Sequence, residues 1–147
     1  MHDLPEPRPG TADDQAAVAA ALARFAWILD HREWDHVGDV LAPDAEAYGE
    51  AGIDAVIENS LRRHLGGCGP SQHLLGNAQI EVDGDRARSI VYARVHHRGA
   101  GERSHVWWEC WGEYHDTWIR TPGGWRMTSR SFDVTIADGD MSVLQPG

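Results

Sequence analysis

The sequence predicts an α+β domain in which helices come first and an antiparallel sheet follows. Apolar residues recur at helical spacing as far as Leu65 and alternate at strand spacing from about Gln72 onward. Turn signals rich in Gly, Pro and Asp fall between these segments.

Thr11-Ala12-Asp13-Asp14 has the form of a capping box, and Val18, Leu22, Phe25 and Leu29 follow on one face, so the first helix runs from about Ala12 to about His31. Trp34, Val37 and Leu41 repeat the spacing in a short second helix that Ala42-Pro43-Asp44 stops. A brief extended piece, Glu46 to Glu50, leads to Gly52 and a third helix carrying Ile53, Val56, Ile57, Leu61 and Leu65, closed by Gly66-Gly67. Ile80 and Val82 then alternate up to an Asp83-Gly84 turn, and Ser89 to Arg98 is a β-branched run ended by Gly99-Ala100-Gly101. Ser104 to Arg120 reads as a long aromatic strand, Thr121-Pro122-Gly123-Gly124 as a turn, and Trp125 to Ile136 as the closing strand. The three helices are expected to cover one face of a curved sheet. One domain over residues 11–137 accounts for these elements, with a flexible arm over 1–10 and a tail over 138–147.

Composition narrows the function. Acidic residues outnumber basic ones 23 to 13, for a net charge of -10, which repels a phosphate backbone and argues against nucleic-acid binding. All 13 basic residues are arginine, so the chain has no lysine for Schiff-base chemistry or for a phosphate loop. No apolar run approaches the roughly 20 residues that span a bilayer, and the polar, proline-rich start has no secretion-signal core, so a cytoplasmic location is expected. Cys68 and Cys110 match neither a redox pair nor a zinc spacing and read as buried thiols. Nine histidines raise the question of a metal, but His96 and His97 are adjacent in a strand and His31 and His36 share a helical face poorly. No metal site and no cofactor are expected. In Trp107-Trp108-Glu109-Cys110-Trp111-Gly112-Glu113-Tyr114-His115, alternation sends Trp107, Glu109, Trp111 and Glu113 to one face and Trp108, Cys110, Gly112 and Tyr114 to the other. One face then meets the core or a pocket, and the other is expected at a homodimer interface.

Two residues stand out chemically. Asp30, in Trp27-Ile28-Leu29-Asp30-His31, lies on the helical face of Ala19, Ala23 and Ala26 beside the apolar stripe, where small neighbours leave room for a cavity. His73, in Ser71-Gln72-His73-Leu74-Leu75-Gly76-Asn77, shares a strand face with Leu75 and Asn77. On the residues alone the plain reading of each is structural: a carboxylate closing a helix end, and a hydrogen-bonded histidine beside leucines.

The helix ending in "ILDHREWD", the entry "LAPDAEAYGE", the His-x-x-x-Asn of "QHLLGN", the strand "YARVHHRG" and the closing "TPGGWRMTSRS" together resemble the SnoaL-like polyketide cyclases. These belong to the nuclear-transport-factor-2-like superfamily, with scytalone dehydratase and hexachlorocyclohexane dehydrochlorinase. The resemblance runs from about Gln15 to Ile136 and implies a cone-shaped α+β barrel around one deep pocket. It also implies a dyad, with His73 as general base and Asp30 orienting it. Tyr48 falls where such enzymes carry a pocket tyrosine, and His97 at their second pocket histidine, with His96 turned outward. A family arginine on the last strand suggests Arg130, although alternation from Trp125 points to Ser129. Phe25 stands where members often have lysine or tyrosine and is expected in the pocket wall, which argues against dehydrochlorination in particular.

The expected function is a cofactor-independent dehydratase, isomerase or cyclase acting on a small hydrophobic, polyketide-like substrate. Asn77, Tyr48, His97, Phe25 and Arg130 would bind it. A non-catalytic binding or assembly module of the same fold and an epoxide-opening hydrolase are the rivals, the latter calling for an Asp-Arg-Asp grouping.

Overall fold

The computed structural model describes residues 11–147; the arm over 1–10 and the side chain of Thr11 in the capping box lie outside what it describes. Helix α1, Thr11–His31, buries Val18, Leu22, Phe25, Ile28 and Leu29 along one stripe, each no more than 3% exposed. Asp14 is engaged away from its own helix. Its carboxylate accepts both ends of the Arg120 guanidinium at 2.7 and 2.9 Å and the Trp125 indole N–H at 3.3 Å, which ties the start of α1 to a distant hairpin.

The sheet has six strands: β1 (Leu41–Ala47), β2 (Glu50–Ala51), β3 (Ser71–Asp83), β4 (Arg86–Arg98), β5 (Trp107–Thr121) and β6 (Gly124–Gly139), in the order β2-β1-β6-β5-β4-β3. All pairs are antiparallel except β1 with β6. The hairpin turns place Gly84 and Gly124 at φ of 60° and 112°, the left-handed region that glycine enters without a Cβ clash. Between β2 and β3, α2 is one continuous helix over 53–65 whose middle, Ile57–Leu61, is π-helical. Among the described residues no helix is long and apolar enough to cross a membrane.

The expected second helix is corrected. Only Trp34–Asp39 is helical, as a 3-10 segment, and Leu41 opens β1 instead of closing a helix. The same-face apolar residues Leu41, Ala45 and Ala47 bury against β6, and the parallel register breaks between Leu41 and Glu46. Pro43, which has no N–H for a ladder, lies inside that break, so it interrupts the pairing without ending the strand.

Two bulges steer side chains. In β3, Gly76 pairs with Tyr92 and Gln79 with Ile90, so Asn77 and Ala78 together face Val91. His73 and Leu75 point inward before the bulge, and Ile80 and Val82 after it. In β6, Ser129 pairs with Thr117 and Met127 with Trp118, leaving Thr128 extra. Trp125 and Met127 therefore face the core, and so does Arg130. Past β6, a 3-10 turn at Met141–Val143 buries Val143, and the amides of Gln145 and Gly147 donate to the carbonyls of His64 and Arg62 at the end of α2.

Asn77 adopts φ of 52° at the β3 bulge, a left-handed conformation that asparagine tolerates and β-branched residues resist. Asn77→Val should therefore cost about 1–2 kcal/mol in urea unfolding, while Asn77→Gly should be neutral or slightly stabilising. A larger loss with glycine than with valine would refute this backbone role.

Candidate active site

The last turn of α1 carries Asp30 to the start of β3. One carboxylate oxygen accepts the backbone N–H of His73 at 2.8 Å, and the other accepts the Ser71 hydroxyl at 2.9 Å and the His73 Nδ1–H at 2.6 Å. Both side chains are largely shielded, 6% exposed for His73 and 13% for Asp30. Behind them Arg32, at φ of 56°, donates through Nη1 to the Leu29 carbonyl at 2.7 Å and the Ser71 hydroxyl at 2.8 Å, and through Nη2 to Gly69 O at 2.8 Å. The guanidinium thus satisfies the end of α1 and fixes the residue that orients Asp30.

Burial works to raise the Asp30 pKa, but hydrogen bonding and charge from His73, with help from Ser71, outweigh it and hold the carboxyl below its ordinary value. An ionised carboxylate only accepts, so His73 Nδ1 carries the hydrogen, and the tautomer this selects has its lone pair at Nε2.

His73 looks into a cavity of about 250 Å³ inside the cone. Leu61, Leu65, Val95, Trp108 and Phe132 supply apolar wall, with Tyr48, His64 and His97 as polar groups, and Leu144 from the C-terminal segment adds to the lining. His97 is 4% exposed, and its Nδ1–H donates to the Trp108 carbonyl at 3.1 Å, so its Nε2 is also bare. Burial drives its pKa down to about 4, with the Arg32 charge acting the same way. Its ring stands edge-on to His73 with centroids 6.4 Å apart. His96 points outward, stacked on Trp107. At the end of α2, His64 likewise donates Nδ1–H, to Ser60 O at 2.8 Å.

Sequence reasoning missed Asp116. It is 2% exposed and grips the 5% exposed Arg130 with two hydrogen bonds of 2.7 and 2.9 Å. Strand alternation carried the signal, since Asp116 continues the inward set Cys110, Tyr114 and Trp118, and a buried carboxylate demands a cation. The Arg130 guanidinium stacks over the Tyr114 ring at 3.7 Å and the Phe25 ring at 5.0 Å, and it donates to the Tyr48 hydroxyl at 3.4 Å. Ser71 and Arg32 were also missed because their partners lie far away in sequence, and His64 because it bonds a nearby backbone carbonyl; neither leaves a periodic mark.

Several expected positions move. Asn77 faces an outer groove with Leu74, Tyr92 and Trp111, because the bulge ends the alternation that would have set it beside His73. Phe25 is fully buried beneath Arg130 and is not part of the cavity lining. Arg130 stands behind Tyr48 and not in the wall, and Ser129 hydrogen-bonds Thr117 instead of facing inward. Ala23 and Ala26 border a separate outer cleft that reaches Asp30 from between α1 and β3. Cys110 is buried in the cavity wall, whereas Cys68 is only partly buried and donates to Arg98 O at 3.2 Å. Among the described residues, Glu113, His115 and Asp133 form the group whose ligand atoms lie close enough to share a cation, within 4.8 Å. It is not in the cavity, and His115 bridges the two carboxylates itself at 2.8 and 3.4 Å.

Residues 10–131, which span α1 and most of the sheet, match the model described as SnoaL-like domain. The chain belongs to the SnoaL-like family. The uncharacterized protein Rv2910c of Mycobacterium tuberculosis (strain H37Rv) is 34% identical over 122 residues, covering 80% of this chain and 82% of that one. Among solved structures, a protein of Novosphingobium aromaticivorans provisionally assigned as a scytalone dehydratase superposes with a TM-score of 0.76 at 19% identity, over 86% of this chain and 87% of the other. The hexachlorocyclohexane dehydrochlorinase LinA-type3 of Novosphingobium barchaimii superposes with a TM-score of 0.71 at 14% identity, over 87% and 90%. At such identities the likeness is one of fold, the cone of the nuclear-transport-factor-2-like superfamily.

His97 gives this SnoaL-like protein an acid sensitivity. Its folded pKa lies below the ordinary 6.5, so the unfolded chain binds the proton first, and stability held above pH 6.5 is lost as pH falls to about 4. The loss attributable to His97 is about 3 kcal/mol, at about 1.4 kcal/mol per pH unit. Urea unfolding from pH 7 to 4 should show it, and His97→Gln should flatten the curve by most of that amount. An unchanged slope would refute the assignment.

Proposed function

We propose that the protein is a cofactor-independent general-base enzyme, removing a proton from a small, largely apolar, polyketide-like ring held in the cavity. The observation that carries this is the 2.6 Å bond between His73 Nδ1 and Asp30, which leaves a bare Nε2 on the cavity side. In the proposed reaction His73 Nε2 takes a proton from a C–H made acidic by a neighbouring carbonyl. The imidazolium that forms is held by Asp30, whose depressed pKa keeps the proton on the ring. Tyr48 donates its O–H to the oxygen on which negative charge develops; burial raises its pKa, so the phenol stays protonated. His97, kept neutral, accepts a hydroxyl of the substrate and does not serve as an acid. The proton on His73 is then delivered to a leaving hydroxyl, which gives elimination of water, or returned to another carbon, which gives isomerisation; ring closure by the carbanion is the third outcome.

This reading departs from dehydrochlorination. Phe25 brings no charge to a departing chloride, and Arg130 is already neutralised by Asp116. The guanidinium meets a single carboxylate among the described residues, short of the Asp-Arg-Asp grouping an epoxide hydrolase would call for.

The test uses solvent-deuterium exchange at the α-carbon of cyclic ketones, followed by NMR, since it needs only the proton-abstraction step. His73→Gln should slow exchange by about 100- to 10,000-fold while ketone affinity changes little. Asp30→Asn should slow it less. Equal exchange by the His73→Gln variant would overturn the base assignment and leave a binding module.

A further inference from the structure

Gly66 and Gly67 do more than close α2. Gly66 has ordinary helical backbone, with φ of -59°, and Gly67 does not enter the left-handed region, so neither position needs glycine for its conformation. What both need is room for a second backbone. A Cβ on Gly66 would overlap the Gly147 carbonyl, and one on Gly67 would overlap the Pro146 carbonyl and crowd Gln145 Cβ at 3.1 Å. The two glycines are the seat of a strap over 140–147, which crosses from the end of β6 to the end of α2. Three backbone bonds fasten it there: Gly67 N–H to Gln145 O at 2.8 Å, Gln145 N–H to His64 O at 3.1 Å and Gly147 N–H to Arg62 O at 3.1 Å. Near its other end, Arg103 donates to the Ser142 carbonyl at 3.2 Å and to its hydroxyl at 2.7 Å.

Two side chains of the strap turn inward while the rest are exposed. Val143 is buried, and Leu144 packs against the core and lines the cavity. His64, exposed as well as lining the cavity, marks the mouth, and Leu144 immediately precedes the residue bonded to it. The other apolar wall residues come from α1, α2 and the sheet, whereas Leu144 rides on a segment held by a handful of bonds. The depth of the strap therefore sets how much of the cavity Leu144 fills. We infer that Leu144 is the size-determining residue of the cavity and that Gly66 and Gly67 fix its depth. The ligand class is the cyclic ketone of the proposed function, on which the inference rests, limited in ring number by the strap.

The probes are cyclohexanone, 1-tetralone and 9-fluorenone, ketones of increasing ring number, with affinities from equilibrium dialysis. One methylene more or less in an apolar pocket changes discrimination by about 10- to 200-fold. Leu144→Ala should therefore raise the affinity for 9-fluorenone relative to cyclohexanone by about tenfold or more, and Leu144→Phe should lower it by a similar factor. Gly67→Ala, whose new Cβ would meet Pro146 and Gln145, should move the ratio in the same direction as Leu144→Ala although it lies outside the cavity lining. Val82→Ala, which removes core packing away from that lining, should leave the ratio unchanged. A ratio unchanged in Leu144→Ala overturns the size role, and one unchanged in Gly67→Ala overturns the seat. Equal movement in Val82→Ala overturns both, since the ratio would then report stability alone. Wild-type protein that binds none of the three ketones removes the ligand class of the proposed function and this use of Leu144 with it. Hydrogen exchange retained in His73→Gln removes only the base, so the failures are distinguishable.

Discussion

The three hydrogen bonds that Asp30 accepts from Ser71 and His73 at the start of β3 are the constraint on which the rest of the molecule depends. A carboxylate at the C-terminal end of a helix is in an unfavourable field, because the carbonyl end of the macrodipole is negative. Here Arg32 offsets that field by hydrogen-bonding the last carbonyls of α1, while Ser71 and both N–H groups of His73 supply the donors that an ionised Asp30 needs. The same bonds fix the distance between helix and sheet, the tautomer of His73 and the direction of its free nitrogen. A change that loosens α1 against β3 therefore reaches the chemistry directly. The stability of the cone and the readiness of the base rest on one set of contacts.

A second buried charge, Asp116 with Arg130, sits deeper and follows a different logic. Ion pairs removed from water seldom stabilise a fold over an apolar alternative of similar volume. What this pair provides is direction, since a bidentate Arg–Asp contact fixes a plane that two single hydrogen bonds would leave loose. The Thr128 bulge makes the placement possible by switching the inward set of β6 from Trp125 and Met127 to Arg130. Without the extra residue, regular alternation would put Ser129 inside and an arginine in solvent.

The same bulge shows how far the sequence could be read. Helix α1, the sheet meander and the hairpin turns were legible because each carries its own period and its own punctuation, whereas the pairing of Asp30 with His73 came from the family resemblance, since on the residues alone each reads as structural. Asn77 was misplaced by extending the phase of His73 and Leu75. Ile80 and Val82, further along the strand, have the opposite parity, and a single strand cannot satisfy both without a bulge between them. That conflict was present in the residues. Leu41 and Pro43 are a different case: an apolar residue three or four after the last suits a helix as well as a strand, and only the distant partner β6 decides. Asp116 was hidden for the same reason, because a buried carboxylate is recognisable only with its cation, fourteen residues away on the neighbouring strand.

The arrangement of polarity in the cavity supports the proposed enzyme over a passive container. A histidine kept for packing needs only to have its nitrogens satisfied, and a protein has many ways to do that with both. In this cavity His73, His97 and His64 are each bonded at Nδ1 to a fixed acceptor, respectively Asp30, Trp108 O and Ser60 O. The tautomer selected by each of these bonds has its lone pair at Nε2. The acceptor of His73 differs from the other two in carrying a charge, and that difference assigns the roles. A backbone carbonyl stabilises an imidazolium weakly, so burial keeps His97 neutral; an ionised carboxylate stabilises it strongly, which supports the proposal of His73 as the base. Tyr48, a phenol whose pKa burial raises further, is the proposed donor. A base with a counter-charge, an acceptor without one and a phenolic donor lining one small apolar cavity form the combination required to take a proton from carbon while charge gathers on oxygen.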